Sequence, residues 1–240
     1  MPLALATGFD GAGKAPYGVG RLQHMTGDCV VSARVLLVGL MALCAAAGAA
    51  SACQKTSNPQ LDENFKNADP GWGQPDNIAA FTADGLVLKP PVSGSAWRSN
   101  AHFTMARADW CITVVNPANL PDPANEDTVG SAGVWFWGKD QQNFYTATIS
   151  LDGKAAIDRL NRGGWQIVAA PAATPAVKTA PGAANELEIV TEGDKAIFYV
   201  NGTRVAATTG RPPANGGSPG LYGESGPKGT SWVFPRATLY

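Results

Sequence analysis

Residues 186–191 (ELEIVT), 195–200 (KAIFYV) and 203–208 (TRVAAT) decide the fold class. Glu192-Gly193-Asp194 parts the first two runs. Asn201-Gly202 parts the second from the third, and Asn-Gly is the strongest two-residue hairpin signal because both residues tolerate positive φ. The same rhythm extends outward. Upstream, residues 78–82 and 86–89 flank Asp84-Gly85, and the β-branched run 109–116 (DWCITVVN) stops at Pro117. Residues 133–137 (GVWFW), 143–151 (NFYTATISL), 155–160 and 165–169 follow. Downstream, 220–223 and 231–240 close the chain. About a dozen short strands with no long helical stretch predict an all-β fold, two antiparallel sheets packed as a jelly-roll sandwich. Residues 169–184 (AAPAATPAVKTAPGAA) are too rich in Pro for a helix or a central strand. They read as a semi-rigid surface loop.

Composition agrees and excludes other classes. Among 240 residues there are 28 Gly and 18 Pro, and only 15% are charged. A net charge of −1 carries no basic stripe for nucleic acid, so no nucleic-acid partner is expected. Seven Trp in a weakly charged chain argue against disorder.

The first 52 residues differ from the rest. Arg34 precedes residues 35–50 (VLLVGLMALCAAAGAA), which hold no charge, and Ala50-Ser51-Ala52 follows. A cation, an apolar run and a small-x-small site make a secretory signal peptide, assigned to 25–52. Retention as a membrane anchor is the competing reading, but the uncharged run is barely long enough to span. With cleavage, no stable membrane insertion remains and the protein is periplasmic or extracellular. Residues 1–24, which precede a second methionine at Met25, read as a non-native or disordered extension. Within them Gly8, Gly13 and Lys14 have phosphate-loop spacing, yet Ala15 stands where a hydroxyl is needed for magnesium, so nucleotide binding is set aside.

Cleavage after Ala52 leaves one domain, 53–240, of 188 residues with formal charge −2. It keeps two cysteines, Cys53 and Cys111, an even pair in a compartment that permits disulfides. A bridge between them would stabilise by about 4 kcal/mol on chain-entropy grounds. Lipidation of Cys53 is the rival, and Ala50 stands where lipoprotein signals usually carry Leu.

Several motifs in order carry a resemblance. They are Leu61-Asp-Glu-Asn-Phe, Asp69-Pro-Gly-Trp72, Gly133-Val-Trp-Phe-Trp, Asn143-Phe-Tyr, Leu151-Asp-Gly-Lys, Asp158-Arg159 and Gly164-Trp165. Asn185-Glu-Leu-Glu-Ile, Phe198-Tyr-Val-Asn-Gly-Thr and Gly220-Leu-Tyr-Gly-Glu-Ser complete the set. Together they resemble the concanavalin A-like lectin/glucanase superfamily, nearest to laminin G-like and bacterial 3-keto-disaccharide hydrolase-like domains, over residues 60–240. The resemblance implies two curved sheets with ligands on the concave sheet or its rim. It does not imply catalysis, since the fold hosts lectins, hydrolases and inert modules.

Retaining glucanases of the superfamily carry Glu-x-Asp-x-x-Glu on one strand. The nearest run here holds Glu186, Glu188 and Glu192, lacks the Asp, and reads as a solvated strand face. His102 stands alone without a nucleophile elbow. No zinc spacing occurs, and Asp122, Glu126 and Asp127 read as a solubilising loop, not a calcium site. No catalytic residue, metal or cofactor is assigned. The aromatics are the better lead. Alternation puts Val134 and Phe136 on one face and Trp135 and Trp137 on the other. Phe144, Thr146, Thr148 and Ser150 share one face of the next strand; Tyr145, Ala147, Ile149 and Leu151 share the other. Trp137, Tyr145, Arg159 and Trp165 become candidate ligand contacts, with Glu224 as a polar one. The expected partner is a glycan. A non-catalytic sugar-binding module leads, a glycoside-processing hydrolase is the alternative, and a structural envelope protein without a small ligand is the third.

Overall fold

A computed structural model describes residues 53, 55, 57–119 and 130–240. The leader, the phosphate-loop pattern and the cluster of Asp122, Glu126 and Asp127 lie outside them. The described residues form two antiparallel sheets with a single 3-10 turn at Pro70–Trp72. The first sheet contains β1 (Leu61–Glu63), β2 (Ala79–Thr82), β3 (Gly85–Leu88), β5 (Ala108–Val115), β10 (Ala184–Glu192), β11 (Lys195–Val200), β12 (Thr203–Thr209) and β14 (Trp232–Leu239). Its order is β12-β11-β10-β5-β14-β3-β2, with β1 also on β14. The second sheet contains β4 (Ser95–Ser99), β6 (Ser131–Asp140), β7 (Asn143–Ser150), β8 (Lys154–Asn161), β9 (Gly164–Ala173) and β13 (Ser218–Glu224), in the order β4-β13-β6-β7-β8-β9.

The expected hairpins are present. Asn201 and Gly202 take φ of +47° and +79°, the pair of left-handed residues that lets β11 turn back as β12. Alternation then fills the space between the sheets. Trp110, Ile112 and Val114 of β5, Leu187 and Ile189 of β10, and Phe198 of β11 face Val134, Ala147, Ile149, Ile157 and Leu221, all nearly solvent-free. Each such side chain contributes about 1.5–3 kcal/mol by leaving water. The Trp110 indole N–H also crosses between the sheets to the carbonyl of Gly220, 3.0 Å away.

Four sequence readings need correction. First, the run 169–184 is not loop throughout. β9 continues to Ala173 and carries Pro171. It pairs only with β8, and an edge strand tolerates a residue that cannot donate on its free side. Second, Trp137 does not share a face with Trp135. A register shift between Phe136 and Asp140, with Trp137 at φ +48°, turns its ring into the inter-sheet core beside Phe136 and Tyr145. A bulge of this kind breaks the two-residue period. Third, β1 and β4 were not expected, because neither offers a β-branched run. Fourth, Glu188 is not solvated. It is 3% exposed on the outer face of β10, which lies between β5 and β11.

That buried acid explains the N-terminal segment. Cys53 is bridged to Cys111 of β5, Cα atoms 5.5 Å apart, which occupies the sulfur that a lipid thioether would need. Lys55, two residues on, reaches Glu188 at 2.6 Å and Asp109 at 3.1 Å. Burial opposes the Lys55 charge, but the hydrogen bonds to these two acids outweigh it and raise its pKa. Burial, reinforced by Asp109, raises Glu188 against the opposing pull of Lys55. Asp109, Cys111 and Glu188 converge, but the sulfur is committed to the bridge and offers no thiolate to a metal.

Candidate functional site

The outer face of the second sheet carries what alternation keeps out of the core. From β4 to β9 this face presents Trp97, Tyr222, Trp135, Phe144, Leu160 and Trp165, interleaved with Thr146, Thr148 and Asp158. Phe144 sits at the centre. It stacks on Trp135 at 3.7 Å between centroids, and Trp97 and Trp165 lie at 5.4 and 5.7 Å.

Distances across the sheet reveal its shape. β9 and β13 are four strand spacings apart, about 19 Å in a flat sheet. Yet the Trp165 and Tyr222 ring centroids are 5.8 Å apart. The sheet therefore curls toward this face, which is concave, and Trp165 leans across it from the edge. Trp165 remains 47% exposed, while Trp135, Phe144 and Tyr222 are buried beneath the rim.

A cleft of about 370 Å³ opens beside Trp165, lined by Ser93, Gly94, Ser95, Glu224, Ser225 and Pro227. The Glu224 carboxylate is fixed there. One oxygen accepts the Tyr222 hydroxyl at 2.6 Å and the other accepts the Ser131 hydroxyl at 2.7 Å. Burial and the Glu224 charge hold the Tyr222 phenol far above its ordinary pKa, so it stays a donor. Asp158 lies on the same face two strands beyond β6. Burial first, and the Glu224 charge second, push its pKa up to about 6. Among the described residues no cation pairs with either acid. The face therefore offers rings for stacking, hydroxyl donors, one fixed carboxylate and one carboxyl that holds its proton into mildly acidic pH.

The five candidate residues fall into two groups. Trp165 and Glu224 line the concave-face cleft together. Trp137, Tyr145 and Arg159 meet elsewhere, toward the inter-sheet side. Trp137 and Tyr145 are buried in the main core, edge-to-face at 5.2 Å, and the Arg159 guanidinium lies 5.3 Å over the Tyr145 ring. The Tyr145 hydroxyl accepts the Arg211 N–H at 3.0 Å. His102 is a surface residue whose Nδ1 lies 2.8 Å from Asp69. Burial alone would raise Asp69, but the Gly71 N–H, the Asn100 amide and His102 outweigh it and lower its pKa. Trp97, Trp135, Phe144 and Tyr222 were not among the candidates. Grouping Phe144 with Thr146 and Thr148 was the available signal, since that polar-and-aromatic face is the outer one.

No protein-family model matches the chain, and no curated protein matches it. Solved structures do. The carbohydrate-binding module CBM66 from Bacillus subtilis is 17% identical, with 66% of this chain and 88% of that one covered and a TM-score of 0.52. A Bacillus licheniformis beta-glucanase is 13% identical over 77% of this chain and 99% of its own, TM-score 0.51. The metal-free carbohydrate recognition domain of Emp46p is 11% identical over 68% and 84%, TM-score 0.50. At such identities the likeness is one of fold.

Proposed function

Because the chain has the jelly roll of the concanavalin A-like lectin/glucanase superfamily, we propose that it is a carbohydrate-binding module whose ligand lies on the concave face. The carrying observation is the half-exposed Trp165 ring beside a cleft in which Glu224 is clamped by Tyr222 and Ser131. Sugar rings present C–H faces that stack on indole, and their hydroxyls donate to a fixed carboxylate. A mostly apolar cleft with a few placed polar groups is the usual form of such sites. The similar solved structures that carry sugar-binding names support this reading. A curved face with an open cleft speaks for a groove over the flat face of a purely structural envelope protein. The Cys53–Cys111 bridge supports a place outside the cytoplasm, periplasmic or extracellular. Among the described residues no helix is long and apolar enough to cross a membrane. A glycan array followed by calorimetry tests the proposal. Binding that drops at least tenfold in Trp165→Ala supports it, and no binding to any saccharide contradicts it.

One observation favours catalysis as a second reading. Asp158 and Glu224 share the face, one proton-bearing up to about pH 6 and the other held by two hydroxyl donors. In a glycoside hydrolase the first would protonate the leaving oxygen, while the second would serve as nucleophile or activate water. Release of reducing ends from glucosides and their 3-keto forms is the assay. Activity abolished in both Asp158→Asn and Glu224→Gln would promote the protein to a hydrolase. Unchanged activity in both variants would clear these residues.

A further inference from the structure

The same groove has a second end. Strand register puts Glu224 opposite Ser95 and Gly220 opposite Ser99. Four residues of strand, about 14 Å, separate these rows. At the far row a cleft of about 270 Å³ is lined by Trp72, Trp97, Arg98, Ser99, Trp135 and Lys139, among others.

Its lining has an unusual defect. Five buried side-chain polar atoms among the described residues lack a hydrogen-bond partner, and three belong to this one cleft: Trp72 Nε1, Trp135 Nε1 and Arg98 Nε. Trp72 is 1% exposed and Trp135 3%. Buried polar groups are nearly always paired, and each exception calls for a cause. All three are donors. Arg98 uses only part of its fork, giving Nη2 to Asp76. Asp140, also in the lining, accepts the Gln142 N–H at 2.9 Å and the Asn143 amide at 2.7 Å, both through Oδ1. The Asn143 hydrogen bond heads the causes that hold its pKa below the ordinary carboxylate range. Gly138 covers the Trp135 N–H with backbone alone, for a Cβ there would lie 1.9 Å from Nε1. A guest oxygen reaches that N–H through a shift of the bulged end of β6, where Gly138 lies.

We propose that this cleft is a subsite for the carboxylate of an acidic sugar, a hexuronate unit. This rests on the glycan reading of the groove and gives that reading a ligand class and a direction. A carboxylate only accepts hydrogen bonds, which matches the three unpaired buried donors of the lining. Charge-assisted bonds to guanidinium and ammonium are the stronger kind. At the other end, Glu224 and Asp158 repel the same group. A uronate-bearing saccharide thus lies with its carboxylate toward Arg98 and Lys139 and its neutral rings toward Trp165.

The test uses the full-length chain, nitrogen-15 labelled, titrated with a hexuronate-terminated disaccharide and with its methyl ester. Indole N–H signals are assigned with Trp72→Phe and Trp135→Phe. The expected result is at least tenfold tighter binding of the acid, with both assigned indole signals moving on its addition. Lys139→Met, at an exposed site, lowers affinity for the acid threefold or more and narrows the acid-to-ester ratio. Equal affinity for acid and ester overturns the subsite and spares the neutral groove. Preference for the acid with both indole signals unmoved also overturns it, since the carboxylate then sits elsewhere. Binding of neither compound overturns the subsite and counts against the glycan reading too.

Discussion

The outer faces of the two sheets each bury carboxylates, and they treat them in opposite ways. On the first sheet Glu188 and Asp109 share Lys55, and the Cys53–Cys111 bridge fastens the segment that delivers it. A cleft of about 410 Å³ opens there too, but its cations are engaged: Lys55 by two acids as described, and Arg236 through both Nε and Nη2 by the two oxygens of Asp62, at 3.1 and 3.0 Å. Its one aromatic ring, Tyr240, gives its hydroxyl to the Cys53 carbonyl at 3.0 Å. On the second sheet Glu224 has two hydroxyl donors, and neither it nor Asp158 has a cation among the described residues. The first arrangement neutralises charge for stability. The second leaves charge and a ring beside open space, which costs stability and suits a ligand.

Breaking the first face has the largest expected effect. Replacing both cysteines by Ser removes about 4 kcal/mol of loop constraint. For a domain of this size the melting temperature should fall by about 10 °C in a thermal scan. Next is Lys55→Met, which leaves Glu188 and Asp109 without their cation. The expected loss is about 2 kcal/mol at pH 8, below the range for fully buried pairs because Lys55 is 31% exposed. Glu188 has a raised folded pKa, so its ionisation opposes folding as pH rises, and the loss should be smaller at pH 5 in chemical denaturation.

On the second face the effects on stability shrink and change sign. Asp158 binds its proton more tightly folded than unfolded. The native state therefore holds more protons between about pH 4 and 6, and stability falls as pH rises through that window. Asp158→Asn should remove that fall, leaving the variant more stable at pH 7 by about 1 kcal/mol after allowance for solvent screening, and unchanged near pH 3. Equal stability of wild type and variant across pH 3–7 would contradict the comparison. Trp165→Ala should move the melting temperature least, by less than about 2 °C, because the ring is half exposed.

Much of the fold was legible because turn chemistry is local. Asp84-Gly85 and Asn201-Gly202 announce hairpins whichever sheet they enter. What was not legible depended on partners distant in sequence. Glu188 reads as solvated until Lys55, 133 residues away, is brought over it. Pro171 reads as loop until β9 is known to be an edge. The candidate site was legible in part for the same reason. Trp165 and Glu224, chosen on residue type, line one cleft, and Phe144 could be grouped with Thr146 and Thr148 by alternation. Trp137 was misplaced because a bulge carries no sequence period. Trp97 was missed because β4, Ser-Ala-Trp-Arg-Ser, has too few apolar residues to announce a strand.

The central claim is that the uncompensated face, not the neutralised one, is where ligand binds. Calorimetry of a saccharide found on the array, against wild type, Trp165→Ala and Lys55→Met, tests it most directly. Affinity reduced at least tenfold in Trp165→Ala and unchanged in folded Lys55→Met is the predicted result. Binding retained in Trp165→Ala and lost in Lys55→Met would place the ligand on the first sheet and contradict the account.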